Sequence, residues 1–440
     1  MHSRLTSHSY TTVSSAFQKL IEHLRTEPRS EIVFVTNAYN RVLAENVIAK
    51  ANVPAYDTSH MDGFAVKAKE ISRASHLEPV VLKIKSQFKP NDLTFTTTDN
   101  TKYGTFSSSN RLRRGEAFEI STGMYLPIGA DTIIPIEQVT VMDDEIKVES
   151  RIRRGSFVYH KGKDVKYKEQ ILSKGHVLRS QDVALLASLG IREVLSFSKP
   201  KVAIIPTGSE LTDDLKHVKP GQKFNTNSML IAKLIEEAGG YPLDLGVTSD
   251  DVNAIRRKLA SALHACDLVL TIAGTSVGKR DLVQAAISSL GTPGMIAHGI
   301  KLDRGRVTGV AVLKSKPIVA LPGPVQGALN AFIVFAYPMI RFLCGMSEKK
   351  FGFRFYATLT KSWHAREGFS GFLKIVYVRL WYTKSGFKAQ PLFAETESIS
   401  LLSKTNGYIV VPEKVIKMIA GQRVKVHLIP GFSSINGQSV

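Results

Sequence analysis

Between Lys199 and about Gly345 the sequence changes period several times in a fixed order, and that order limits the folds open to the chain. The apolar run "KVAIIPT" reads as a buried strand. A helical stretch over 226–239 follows, with Leu230, Ile231, Leu234, Ile235 and Ala238 on one face. "YPLDLGVT" reads as a second strand. Asp250 is placed to cap the next helix, "DVNAIRRKLASALHAC", whose Ile255, Leu259 and Leu263 share a face. "DLVLTIAG" reads as a third strand, "DLVQAAISSLG" as a helix, and "PIVALPG" as a last strand before a long apolar helix over 325–343. Strands alternating with helices specify a doubly wound α/β domain with a largely parallel sheet.

Such sheets bind ligands outside the carboxyl ends of their strands. Three strands here end in loops of one character: "PTGSEL" (206–211), "IAGTSVGKRD" (272–281) and "LPGPVQG" (321–327). Their glycines, Gly208, Gly274, Gly278 and Gly323, let backbone approach a ligand, and free N–H groups attract anions. Thr275 and Ser276 add hydroxyls between Gly274 and Gly278, so the second loop reads as a cradle for phosphate-like groups. Glu210 and Asp281 stand at the rims of the first two loops. A carboxylate beside a phosphate repels it unless Mg²⁺ or a similar cation bridges the two. Taken singly, each acid reads equally well as a first-turn helix residue favoured by the dipole.

The flanks read differently. Residues 11–27 place Val13, Phe17, Leu20, Ile21 and Leu24 at helical spacing, and "EIVFVT" begins strand-like. Over 80–150, "VVLKIKSQF", "EAFEIST", "DTIIPIEQVTVM" and "EIKVES" read as short strands of a small β-rich domain. The Ser/Thr/Asn-rich stretch among them, "TFTTTDNTKYGTFSSSNRLRRG", reads as a mobile insertion. Residues 350–440 alternate again, as a small β-barrel or sandwich would.

The formal charge of +20 attracts anions at long range. The basic residues are scattered pairs without an aromatic stripe, which argues against a specific nucleic-acid surface and suits an anionic small molecule. Without a run of about 18 apolar residues no membrane span is expected. The N-terminal residues show no apolar signal core, so a cytoplasmic location is expected. Cys266 and Cys344, the only cysteines, sit in apolar contexts and read as buried thiols, too few for a zinc site.

Against this basic background, "VPAYDTSHMDGFAV" (53–66) holds Asp57 and Asp62 with no lysine or arginine. On residue type alone it is either a solvated Asp-Gly turn or a carboxylate waiting for a cation.

With this stretch and "ISTGMYLPIGADTIIPIEQ" (120–138), "RRGSFVYHKGKDV" (153–165), "PTGSEL", "NTNSMLIAKLIEEAGG" (225–240), "AGTSVGKRD" and "LPGPVQGALNAF" (321–332) in order, the chain resembles the molybdopterin molybdenumtransferases of the MoeA type, whose relatives include the C-terminal domain of gephyrin. The resemblance spans roughly residues 10–430. It implies a multidomain α/β plus β architecture. A linking and dimerisation domain would comprise 1–30, 46–53 and 151–198, and a small β-rich domain 31–45 and 54–150. A doubly wound α/β molybdopterin-binding domain would occupy 199–346 and a C-terminal β-barrel 347–440.

It implies further a cytoplasmic homodimer that inserts molybdate-derived metal into adenylylated molybdopterin with Mg²⁺-dependent release of AMP. The active cleft would lie between the α/β domain of one subunit and the β-rich domain of the other, and a molybdopterin adenylyltransferase would be a partner. Carried over by motif, catalysis would fall to Asp62, Thr122, Glu210 and Asp281, and Mg²⁺ to Asp62, Glu210, Asp281 and Asp250 or Asp251. Gly208, Ser209, Gly274, Thr275, Ser276, Gly278, Pro322 and Gly323 would hold the cofactor.

The chain departs from the family pattern at four places. Ala273-Gly274 replaces a Gly pair, Lys279 an acid, and "LPGPV" the usual "LPGNP". "IKLDRGRVTG" stands for a "KPGKP"-like stretch, leaving Lys301 and Arg304 as its cations. Such changes suit a paralogue that carries the cofactor without turnover, or a tungstate-using variant, as alternatives.

Overall fold

The computed structural model describes residues 10–24, 27–85, 93–98, 101–106, 111–275, 281–346 and 354–429. Contacts divide the chain into two units, one of 1–45, 174–183 and 193–440, the other of 46–173 and 184–192.

The first unit contains the expected α/β domain. Its elements are β1 (Lys201–Pro206), α1 (Thr226–Ala238), β2 (Tyr241–Asp244), α2 (Val252–Ala265), β3 (Leu268–Ile272), α3 (Leu282–Ser288), β4 (Pro293–His298), β5 (Gly309–Leu313), β6 (Lys316–Leu321) and α4 (Val325–Ala331). The sheet order is β2-β1-β3-β6-β5-β4. The first four strands are parallel, and β4 and β5 add an antiparallel edge absent from the sequence reading.

Alternation along β1 sends Val202 and Ile204 to one face and Ala203 and Ile205 to the other, all fully buried. One face packs on α1 and the helix after β6, the other on α2 and α3. Burial on both faces is why these strands read as continuous apolar runs.

The helical stretch Val325–Leu343 is long and apolar enough to cross a bilayer, yet two thirds of it is buried within the protein. It is not one regular helix. A π turn at Phe332–Ala336 separates α4 from a second α segment, Tyr337–Leu343. Pro338 lacks the N–H that a regular helix would need there, and the widened turn accommodates it.

The N-terminal helix, Val13–Glu22, is capped by Thr12 and packs Leu20 against the α/β core. Strand Ser30–Phe34 pairs with Glu193–Phe197, so residues 31–45 do not join the β-rich sheet as expected. The reason is local: Ala44 N–H donates to Leu195 O, and Leu43 bridges to Ser196.

Five strands close a C-terminal barrel, settling the barrel-or-sandwich choice. They are β7 (Arg354–Leu359), β8 (Lys374–Thr383), β9 (Gly386–Pro391), β10 (Gly407–Val411) and β11 (Arg423–Leu428), in the order β7-β9-β8-β10-β11. A buried polar knot fastens the barrel to the α/β domain. Tyr377 Oη donates to Asn330 Oδ1 at 2.6 Å, Asn330 Nδ2 to Asp303 O at 3.0 Å, and Arg366 pairs with Asp303.

The second unit holds a six-stranded mixed sheet. Its order is Val139–Met142, Glu145–Val148, Val80–Lys85, Glu116–Ile120, Gly63–Val66, Thr132–Pro135. "DTIIPIEQVTVM" is two strands broken by a 3₁₀ turn at Ile136–Gln138. The stretch read as a mobile insertion takes part in an antiparallel hairpin, Leu93–Thr98 with Thr101–Phe106, that begins one residue before it. Its threonines suit a pleated ribbon as well as a loop. Both cysteines are free and buried, and burial pushes the Cys344 thiol up to about 11.

In the barrel, His427 stacks on Tyr408 with ring centroids 5.2 Å apart. Burial first, then Arg354 and Lys425, lower its pKa from 6.5 to about 4. The unfolded chain therefore takes up a proton that the barrel refuses. The associated stability is complete above about pH 6.5 and is lost as pH falls toward 4. The thermal midpoint should drop across that window, and His427→Phe, which keeps a ring on Tyr408, should flatten the drop; identical profiles would rule this out.

Candidate functional site

The strand order places a switch point between β1 and β3, where the chain leaves neighbouring strands in opposite directions. A cavity of about 600 Å³ opens there. It is lined by Thr207 and Glu210 after β1, Ala273 after β3, Gly323 and Pro324 after β6, and Lys223, Asn225 and Asn227 before and in the first turn of α1. The three loops are joined by backbone bonds, Thr207 N–H to Ile272 O at 2.9 Å and Ala273 N–H to Leu321 O at 3.0 Å. Asn227 Nδ2 donates to Gly323 O at 2.7 Å and ties α1 to the third loop.

The glycines differ in necessity. At Gly274, φ is +66°, and a Cβ would lie 2.6 Å from Thr207 Oγ1. Ala273 also sits at φ +66°, a conformation natural to the glycine that the resemblance expects there. Thr275 Oγ1 is buried with no hydrogen-bond partner among the described residues. Ser276 and Gly278 lie outside the described residues.

The carboxylates separate into two kinds. Asp251, not Asp250, caps α2, accepting from Ala254 N–H at 2.7 Å. Asp281 caps α3 through Gln284 N–H at 2.7 Å, and its other oxygen faces His298 Nε2 at 2.8 Å in a nearly closed setting. Oδ1 of Asp281 is thus engaged within the protein, whereas buried Oδ2 makes no hydrogen bond among the described residues despite its approach to His298.

Asp250 and Glu210 are different. Asp250 Oδ2 accepts from Ser209 N–H, and Asp250 N–H donates to Ser209 Oγ, each at 3.2 Å. Glu210 begins no helix; a short strand, Leu211–Thr212, follows it. Its carboxylate folds over Gly208, whose Cβ position is 2.8 Å from Oε2, and has no hydrogen-bond or ion-pair partner among the described residues. No group of three or more His, Cys, Asp or Glu among the described residues could hold a metal unaided. Magnesium is usually held by one or two carboxylates together with substrate phosphates, a requirement Glu210 and Asp250 suit.

The predicted cations lie elsewhere. Arg304 lines an adjoining cavity of about 680 Å³ with Arg306, Pro322, Pro324, Arg366 and Phe369. Its guanidinium donates to Gln326 and to Ala394 O, and burial followed by Arg366 lowers its pKa. Lys301 lines neither cavity; its backbone pairs with Thr11 and Leu373. Sequence reasoning missed Lys223, whose ammonium has no partner among the described residues. The only signal was its place two residues before the "NTNS" cap.

In the second unit, the acidic turn is not unpartnered. Asp57 accepts from Lys161 N–H at 2.7 Å and faces His160. Asp62 Oδ1 accepts from Thr122 N–H at 2.6 Å and Thr122 Oγ1 at 3.0 Å, which hold its carboxyl below the usual range. The next residue, Gly63, passes so close to the neighbouring strand that a Cβ would fall 2.0 Å from Ile134 O.

Thr122→Val keeps the backbone donor and removes the hydroxyl, so the Asp62 carboxyl should titrate higher, part of the way to the ordinary value. Carbon-13 NMR of labelled aspartate reads this, and an unmoved titration would refute it. Ala273→Gly should raise stability by about 1 kcal/mol through relief of the left-handed strain. Chemical denaturation monitors this, and a loss of stability would contradict it.

Three family models match in sequence order. They are the MoeA N-terminal region (domains I and II) over 11–190, a probable molybdopterin-binding domain over 203–341, and the MoeA C-terminal region (domain IV) over 356–429. The molybdopterin molybdenumtransferase of Haemophilus influenzae is 28% identical over 421 residues, covering 94% of this chain and 98% of the relative. Molybdopterin molybdenumtransferase 2 of Mycobacterium tuberculosis is 27% identical over 413 residues, covering 93% and 97%. The crystal structure of a MoeA molybdopterin biosynthesis protein from Pyrococcus horikoshii superposes with a TM-score of 0.79 at 28% identity, covering 96% of this chain and all of that one. With three domains matching in order along nearly its whole length, the chain belongs to the MoeA family of transferases in molybdenum cofactor biosynthesis.

Proposed function

We propose that this protein is a molybdopterin molybdenumtransferase that transfers molybdate-derived metal to adenylylated molybdopterin and releases AMP. The observation that carries this reading is the switch-point cavity, where exposed Glu210 lines the space between Gly-rich loops and exposed Asp250 is held against the adjacent Ser209.

The chain's own groups divide the work. Backbone at Gly274 and Gly323 approaches the phosphate end of the substrate closely, and the ammonium of Lys223 offsets its charge. Asn227 holds the third loop in place through Gly323. Glu210 and Asp250 would hold Mg²⁺, which supplies neutralisation of pyrophosphate charge as the bond to AMP breaks. The family resemblance implies a role in the reaction for Asp62, kept ionised by Thr122, and molybdate is a substrate. Asp251 and Asp281 act through the helices they cap. The chain is expected to work as a homodimer, as its family resemblance implies.

Purified protein given adenylylated molybdopterin, molybdate and Mg²⁺ should release AMP. Glu210→Gln and Asp250→Asn should each slow that release by about two orders of magnitude, comparable to losing a charge-stabilising group. Tight pterin binding without AMP would favour the carrier reading, and wild-type rates in both variants would remove these residues from the site.

A further inference from the structure

Lys258 lies on α2, away from the cavity, yet its ammonium does something unusual. Nζ donates to three successive carbonyls: Leu245 at 2.7 Å, Gly246 at 2.6 Å and Val247 at 3.0 Å. Strands and helices do not aim consecutive carbonyls at one point. Here Gly246, at φ +72°, turns the chain so that they converge. Three dipoles with their negative ends together repel one another unless a cation sits among them, and the protein supplies its own.

The turn leads directly into the candidate site. Thr248 N–H donates to Pro206 O at 2.9 Å, and Thr248 O accepts from Gly208 N–H at 3.0 Å. Two residues on, Asp250 makes its paired contacts with Ser209. Burial lowers the pKa of this ammonium, and Asp244 and then Asp213 act in the opposite sense to favour its charged form. Asp213 in turn accepts from Nδ2 of Asn225, the cap of α1, at 2.8 Å. One ammonium thus holds the 245–247 turn, and the field of Asp213 links it to the segment that caps α1.

We propose that Lys258 is a positioning residue, whose ammonium fixes the 245–247 turn and thereby sets Asp250 against the Ser209–Glu210 turn. This rests on the reading of Asp250 as a ligand of the phosphate-bound cation.

Lys258→Met keeps the aliphatic stem and removes the charge. Amide hydrogen exchange over 206–212 and 245–251 should speed up by about tenfold or more, with β3 unchanged. The Mg²⁺ concentration giving half-maximal AMP release should also rise about tenfold, with kcat at saturating Mg²⁺ within about threefold of wild type. Lys258→Arg should recover most of both effects. A purely structural lysine would lower the thermal midpoint without moving the Mg²⁺ dependence, and that outcome overturns the proposal. So does unchanged exchange in the two segments. Should Lys258→Met fail to fold, Lys258→Gln, which still offers a donor, takes its place under the same criteria. Absence of AMP release from the wild-type protein would count against the function instead, and the exchange pattern would then decide the role of Lys258.

Discussion

The parallel pairing of β1 with β2 on one side and β3 on the other is the constraint from which the site follows. Parallel strands need crossovers, and crossovers taken to opposite sides leave a crevice at the carboxyl ends. The bonds from Thr207 to Ile272 and from Ala273 to Leu321 then hold each loop to the strand beside it. A cavity framed in this way is rigid where backbone meets ligand. It is adjustable only where side chains such as Glu210 and Lys223 enter it.

The barrel is attached by polar groups rather than by an apolar face alone. Tyr377, Asn330 and Asp303 are all buried, and each finds a partner within the same knot. Lys374, also buried, ends on the carbonyls of Glu413 and Val415 at 3.0 and 2.9 Å. Satisfied in this way, such groups favour one docking geometry, because any shifted arrangement leaves a polar atom dry and unpaired.

Much of this was legible in the residues because burial on two faces writes itself as apolar runs. The α/β alternation and the helix faces are where periodicity put them, and the first and third Gly-rich loops follow their strands as expected. What escaped has physical reasons. Strands Pro293–His298 and Gly309–Leu313 open on turn-forming residues, and Gly63–Val66 hides behind an Asp-Gly pair. Asp250 and Asp251 are adjacent, so composition cannot say which caps α2; in the structure Asp251 accepts from Ala254 N–H while Asp250 turns to Ser209. Asp281 matched a motif, but its engagement by Gln284 and His298 depends on a strand far along the chain. Lys258 carried no signal at all, since a lysine on a helix reads as solvated.

The π turn at Phe332–Ala336 has a consequence for how this core could change over evolutionary time. It spends one residue more than a regular helix to span the same rise. Removing one residue there would restore ordinary winding while leaving the downstream faces close to where they are, because the extra residue is taken up within the widened turn. Met339, Ile340 and Leu343 would keep their place in the hydrophobic interior, and the cost would fall on Pro338, which would collide with the preceding turn. The segment therefore tolerates a shorter chain only if Pro338 is replaced at the same time.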